Sequence, residues 1–322
     1  MKILITGGAG AIGSHLSEAF ARTGQEVITI DNLNGYYDTR IKKLNLRDLK
    51  REGVHVIEGD LNAHDLSLLG GDVDAIFHFA AQPGISSATT FNDYIDNNIY
   101  ATNALLAYAL RLPKLRAFVH ISTSSVYGAQ AVGDEGFVPQ PTSPYGITKL
   151  AAEQLSLSKF RSDGLPVTSL RLFSVFGPRE RPEKLYHKLI RAILEGKEFP
   201  LHSGSAEHTR SFTYVGDIVD ACVRALEHID DIKGEIINIG SNEVHSTREG
   251  IEMIERITGK KANIVITPPR YGDQRDTKAS IEKASKLLGF APKTSFEEGL
   301  LQQYLWQKDH LFPNLMDDEG LA

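Results

Sequence analysis

The chain has 322 residues, a formal net charge of −6 and one cysteine. That length suits about two domains with a large core, and the acid excess excludes the broad basic field of a nucleic-acid binder. Cys222 cannot form an internal disulfide or a cysteine zinc site and reads as a small buried apolar residue.

The eleven histidines form no metal-type cluster. No apolar run is long enough to span a bilayer, and the first residues read as strand rather than signal peptide. The expectation is a soluble, cytoplasmic protein without membrane or nucleic-acid partners.

Taken in order, residues 2–6 form an apolar strand that runs into Gly7-Gly-Ala-Gly10-Ala11-Ile12-Gly13. An apolar-periodic segment over 12–20 then reads as a helix. Gly7 permits the tight turn, Gly10 lets backbone approach a pyrophosphate, and Gly13 allows helix to pack closely on strand. The helix start at Ala11 and Ile12 offers unpaired N–H groups to the anion. A second strand over 26–30 ends in Asp31, placed to meet adenosine ribose hydroxyls, with Asn32 beside it. No Arg or Lys follows directly, so NAD is favoured over NADP.

Further strands are expected over 55–58, 75–79, 117–122, 167–172 and 235–239. They are apolar on both faces and alternate with helical patterns, which predicts a Rossmann-like, doubly wound α/β fold with a parallel sheet. Ligands bind beyond the carboxyl ends of such strands. The loops there supply Asp60 and Leu61, then Phe79-Ala80-Ala81-Gln82 with Pro83 and Gly84. Ser122-Thr123-Ser124-Ser125 and Phe173-Ser174 follow.

After residue 172 the pattern loosens. A helix is expected over 184–195, a return to the main sheet over about 213–240, and an amphipathic helix over 246–258 opened by a Ser246/Glu249 capping box. The division that follows is a cofactor domain over 1–172 with that return segment. A smaller, interrupted substrate domain takes 173–212 and 241–310, and a polar, frayed tail takes 311–322, with fraying from about residue 308.

Tyr145 and Lys149 stand four residues apart behind Pro144, which suits a helix start. Positions i and i+4 share a helix face, so phenol and ammonium can point at one spot. A nearby cation brings the phenol toward use as a base. A hydroxyl of Thr123 or Ser124 would bond the reacting oxygen.

With the glycines, Asp31, the Ser/Thr cluster and the Tyr–Lys pair, the chain resembles the extended short-chain dehydrogenase/reductases. The segments 31–38, 120–128 and 171–182 are most similar to UDP-glucuronate 4-epimerases. That resemblance implies NAD-dependent oxidation of a UDP-sugar at C4, rotation of the 4-keto sugar and return of the hydride to its other face. It implies that Tyr145 is the base, and that Lys149 tunes it and holds the nicotinamide ribose. Tyr145, Thr123, Ser124, Ser125, Pro83 and Gly84 would line the sugar site.

Arg181, with Ser174 and Thr123, is the candidate for a C6 carboxylate, because a guanidinium fork matches a carboxylate, with a solvated loop arginine as the alternative. Arg210 matches an arginine that contacts the diphosphate, although Ser211 replaces the acid that usually follows it. Arg275 is a second phosphate or ribose candidate, with surface salt bridging as the alternative. Similar dehydratases carry Asp-Glu where this chain has Ser124 and Ser125, which favours epimerisation. UDP-glucose and UDP-N-acetylglucosamine 4-epimerases, 4,6-dehydratases and a non-catalytic NAD-binding regulator remain rival readings. A homodimer through the helices expected over 97–110 and 145–160 rests on the resemblance.

Overall fold

The computed structural model describes residues 1–84, 89–269 and 275–316. Seven strands form one sheet: β1 (Lys2–Thr6), β2 (Glu26–Asp31), β3 (His55–Glu58), β4 (Ala75–His78), β5 (Ala117–Thr123), β6 (Val167–Leu172) and β7 (Ile236–Ile239). Their order is β7-β6-β5-β4-β1-β2-β3, every neighbouring pair parallel. Ile3, Leu4 and Ile5 are all fully buried, as are Ile76, Phe77, Phe118 and Val119. Consecutive buried residues mean that both faces are covered, so these strands show no alternation. The chain order reverses between β1 and β4, which opens a crevice at their carboxyl ends.

Helices Ala11–Arg22, Thr39–Arg51, Ala101–Ala109, Pro144–Asp163 and Val215–Glu227 cover the sheet. Cys222 lies buried on the last of these, and burial pushes its thiol up to about 12. Thr39–Arg51 is a helix that the sequence reading did not pick out. Asp38 caps it by accepting from the Arg40 N–H, and Ile41, Leu44 and Leu49 face inward between basic residues.

The segment expected as one helix over 97–110 is widened over Ile95–Tyr100 into a π-type turn. There Asn98 turns inward, accepts from the Gln82 N–H at 2.7 Å and donates to Thr148 at 2.9 Å. The wide turn directs this amide toward the crevice loop.

The remaining chain builds a smaller layer across the carboxyl ends of the strands. It contains the parallel pair Glu198–His202 and Asn263–Thr267 and the helices Leu185–Glu195, Thr247–Thr258 and Phe296–Trp306. Phe176, Tyr186, Phe212 and Phe296 pack at its centre, with Phe212 and Phe296 stacked at 4.9 Å. Ser246 and Glu249 form the expected reciprocal cap of helix Thr247–Thr258.

One expectation fails at the carboxyl end. The chain does not fray from residue 308: Phe312–Met316 is helical and Leu311 is fully buried against Ile41 and Leu44. The apolar residues Trp306, Leu311 and Leu315 supply an anchoring face within a polar segment. The last six residues lie outside the described range. Among the described residues, no helix is long and apolar enough to cross a membrane.

Candidate active site

The crevice is a cavity of about 700 Å³ that runs from the β1 and β2 loops to the smaller layer. Its first end is built from backbone. Gly7 has φ +71°, and a Cβ there would lie 2.7 Å from the Ala80 nitrogen. Gly8, which the sequence reading passed over, is tighter still, because its Cβ would fall 1.3 Å from Thr29 Oγ1. A Cβ on Gly13 would meet the Gly7 carbonyl oxygen at 2.5 Å, so Gly13 packs on the turn itself. No side chain caps helix Ala11–Arg22, which leaves its first N–H groups facing the cavity.

Asp31 is held between two backbone donors, Leu33 N–H at 2.9 Å and Ala9 N–H at 3.2 Å. Asn32 donates to Asp60 at 2.8 Å. Lys42 reaches in from helix Thr39–Arg51, its ammonium 3.9 Å from Asp31 and 5.0 Å from the Tyr37 ring centre. The lysine is remote in sequence from Asp31, so reading only the residues after the acid misses it.

The middle of the cavity holds the Tyr–Lys pair. Ser143 caps helix Pro144–Asp163 through the Gly146 N–H at 3.1 Å. A Cβ at Gly146 would come within 2.6 Å of the Ser125 carbonyl oxygen, so glycine lets this helix lie against the β5 loop. That contact places Tyr145 near Thr123, whose hydroxyl favours the ionised phenol. Thr123 in turn donates to Ser125 at 3.3 Å.

Burial raises the Tyr145 phenol, and the Arg181 charge and the Thr123 hydroxyl pull it back. Burial lowers the Lys149 ammonium to about 8, while Glu153 acts in the opposite sense. Arg181 is thus a second cation acting on the phenol, one that the sequence spacing does not bring near Tyr145. Lys149 lines the same cavity and also acts on the buried His78 and His120 of β4 and β5. Glu153 is itself clamped by Arg171 at 2.6 Å in an ion pair closed to solvent, which ties this helix to β6.

The far end is built from charged side chains. Arg181 lies 3.2 Å through Nε from Glu183 and has its guanidinium 5.9 Å from the Tyr36 ring centre. Its Nη1 is buried and has no hydrogen-bond partner among the described residues. The loop that carries it is strained at Arg179, φ +62°, and held by a 2.5 Å bond from Arg179 to Glu18. Ser174, also at positive φ, and Arg210 line the same wall.

Ser211 is fully buried and donates to the Ser241 carbonyl at 2.5 Å, a bond that suits a hydroxyl and explains the absence of an acid there. Lys184 lines this end and was not foreseen; nor were Tyr36, Tyr37 and Lys42, although both tyrosines lie in a segment that carries the resemblance.

The cavity brings together every proposed cofactor and substrate residue except three. Gln82 turns its backbone to Asn98, Phe173 is fully buried against Tyr127, and Arg275 is exposed, with its carbonyl accepting from Thr209.

The sequence profile of the NAD dependent epimerase/dehydratase family matches residues 3–240. This chain belongs to that family. An uncharacterised UDP-glucose epimerase of Bacillus subtilis is 39% identical over 94% of this chain and 96% of its own. A UDP-glucuronate 4-epimerase of Arabidopsis thaliana is 33% identical over 95% of this chain and 75% of its own.

Among solved structures, the Bacillus cereus UDP-glucuronic acid 4-epimerase with UDP-glucuronic acid and NAD superposes with a TM-score of 0.91. It is 39% identical over 96% of this chain and 99% of that one. The cofactor of the family is NAD, and the uncapped helix start with Asp31 at the end of β2 fits its diphosphate and ribose groups.

Proposed function

We propose that the protein is an NAD-dependent 4-epimerase of UDP-glucuronate, interconverting it with UDP-galacturonate. The observation that supports the choice of sugar is Arg181, whose Nη1 is buried in the cavity that holds Tyr145 and has no hydrogen-bond partner among the described residues, although its Nε faces Glu183. A buried donor of this kind is costly unless an anion meets it, and a sugar carboxylate offers the matching fork.

The residues divide the work as follows. Tyr145 takes the proton of the C4 hydroxyl as base and returns it later as acid. Thr123 holds that oxygen through its hydroxyl. Lys149 orients the ribose edge, and Arg210 and Lys184 meet the diphosphate. NAD supplies the hydride acceptor and donor. Ser124 and Ser125 carry no carboxyl, so they offer no acid–base pair for dehydration.

A second reading, a neutral UDP-hexose, draws on Glu183, which already partly balances Arg181. Exposed Tyr100 and Ile147 on neighbouring helices support a homodimer, and a cytoplasmic place suits this chemistry. Proton NMR of product mixtures from a panel of UDP-sugars tests the proposal. The expected result is UDP-galacturonate from UDP-glucuronate with no net NADH, and a preference for UDP-glucose would replace the first reading by the second.

A further inference from the structure

The carboxyl-terminal segment has no place in the chemistry, yet it is tied to the cofactor end at three points. Leu311 is fully buried among Ile41 and Leu44, His310 bonds Asp48 at 2.9 Å, and Arg47 donates to Asn314 at 2.9 Å. Ile41, Leu44, Arg47 and Asp48 all belong to helix Thr39–Arg51, while Gln307–Leu311 also touches helix Leu185–Glu195.

Tyr37 packs against the same apolar cluster, as do Trp306 and Leu315. Its ring carries the Lys42 ammonium, which also bonds the Asn34 carbonyl at 3.0 Å and side chain at 2.8 Å. Lys42 and Tyr37 both line the cavity next to Asp31. An unbroken set of contacts thus runs from the tail, through one helix and one tyrosine, to the acid that meets the ribose.

We propose that the segment Gln307–Met316 is a cofactor-retention element, holding Tyr37 and Lys42 in place against Asp31 at the adenosine end of the NAD site. Burial of Leu311 stabilises the fold by itself, and the same contact fixes the helix that carries Lys42. An epimerase that returns its hydride has reason to keep its NAD, and loosening this segment would open the way out. The inference rests on NAD as cofactor and is independent of which sugar is bound.

The test is the release rate of NAD from the diluted holoenzyme, measured by chromatography of the free nucleotide. Leu311→Ala is expected to release NAD roughly tenfold faster or more, within the 5–150-fold span usual for coupling between sites. Leu288→Ala is the control, because Leu288 is equally buried but packs with β7 at the opposite edge of the sheet. It is expected to lose thermal stability while keeping the wild-type release rate. An unchanged rate in Leu311→Ala, or equal acceleration in both variants, overturns the proposal. Should Leu311→Ala fail to fold, His310→Ala decides, with severalfold faster release expected and an unchanged rate contradicting it.

Discussion

The two ends of the cavity are made of different materials. At the cofactor end the wall is glycine and backbone, and Asp31 already has two N–H donors. At the other end the wall is charge, and buried polar atoms of Arg181, Glu183 and Tyr186 have no hydrogen-bond partner among the described residues. The first end is a fixed shape that a dinucleotide matches, and its specificity lies in space that side chains must not fill. The second is an incomplete set of charges whose balance changes when a ligand arrives, so the choice of substrate should be read there.

Tyr145→Phe gives the largest effect, because it removes the group that both ends position. Turnover is expected to fall at least ~100-fold, the usual share of general base catalysis, with bound NAD unchanged by absorbance after purification. Loss of NAD along with activity would mean that Tyr145 builds the cofactor end as well.

Gly8→Ala sharpens the contrast from the other side. Its methyl collides with Thr29, which bonds the Ile5 carbonyl at 2.9 Å. A cost of roughly 1–3 kcal/mol in denaturant unfolding is expected, as for other overpacked sites, together with weaker NAD binding. An unchanged transition and unchanged affinity would show that the β1 turn is softer than its geometry states.

Acid should strike the cofactor end first. Burial lowers His15 and His78 to about 3 and His187 to about 4, and His120 also well below its usual value. Below pH ~6.5 the unfolded chain takes protons that these rings refuse, so stability present above that pH is lost as it falls toward 3. Each ring lowered to about 3 contributes about 2 kcal/mol of loss at pH 5. Glu180, raised to about 6, acts in the opposite direction because its stabilising protonation disappears as pH rises. Three of the four histidines lie in the cofactor half, so NAD should be lost on acidification before the smaller layer unfolds. Hydrogen exchange at pH 5 checks the order.

Much of this was legible in the sequence, and for physical reasons. A strand buried on both faces is mostly apolar, so six of the seven strands stood out on that ground, and all seven, the half-exposed β3 included, are correct to within a residue at their ends. The Tyr145–Lys149 spacing was legible because helix geometry is local. Lys42 beside Asp31 and Arg181 near Tyr145 were not, because each pair meets only through tertiary packing. The tail was read as frayed because its polar composition hides one buried leucine.

Whether Arg181 reads a carboxylate is measured by the ratio of kcat/KM for UDP-glucuronate to that for UDP-glucose, in wild type and in Arg181→Ala. The wild type should favour UDP-glucuronate, and the variant should lose roughly 2–5 kcal/mol on that substrate, the range for stranding one member of a buried charge pair. Any activity on UDP-glucose should barely change. Equal losses on both sugars would contradict the account and assign Arg181 to the diphosphate or to its own loop.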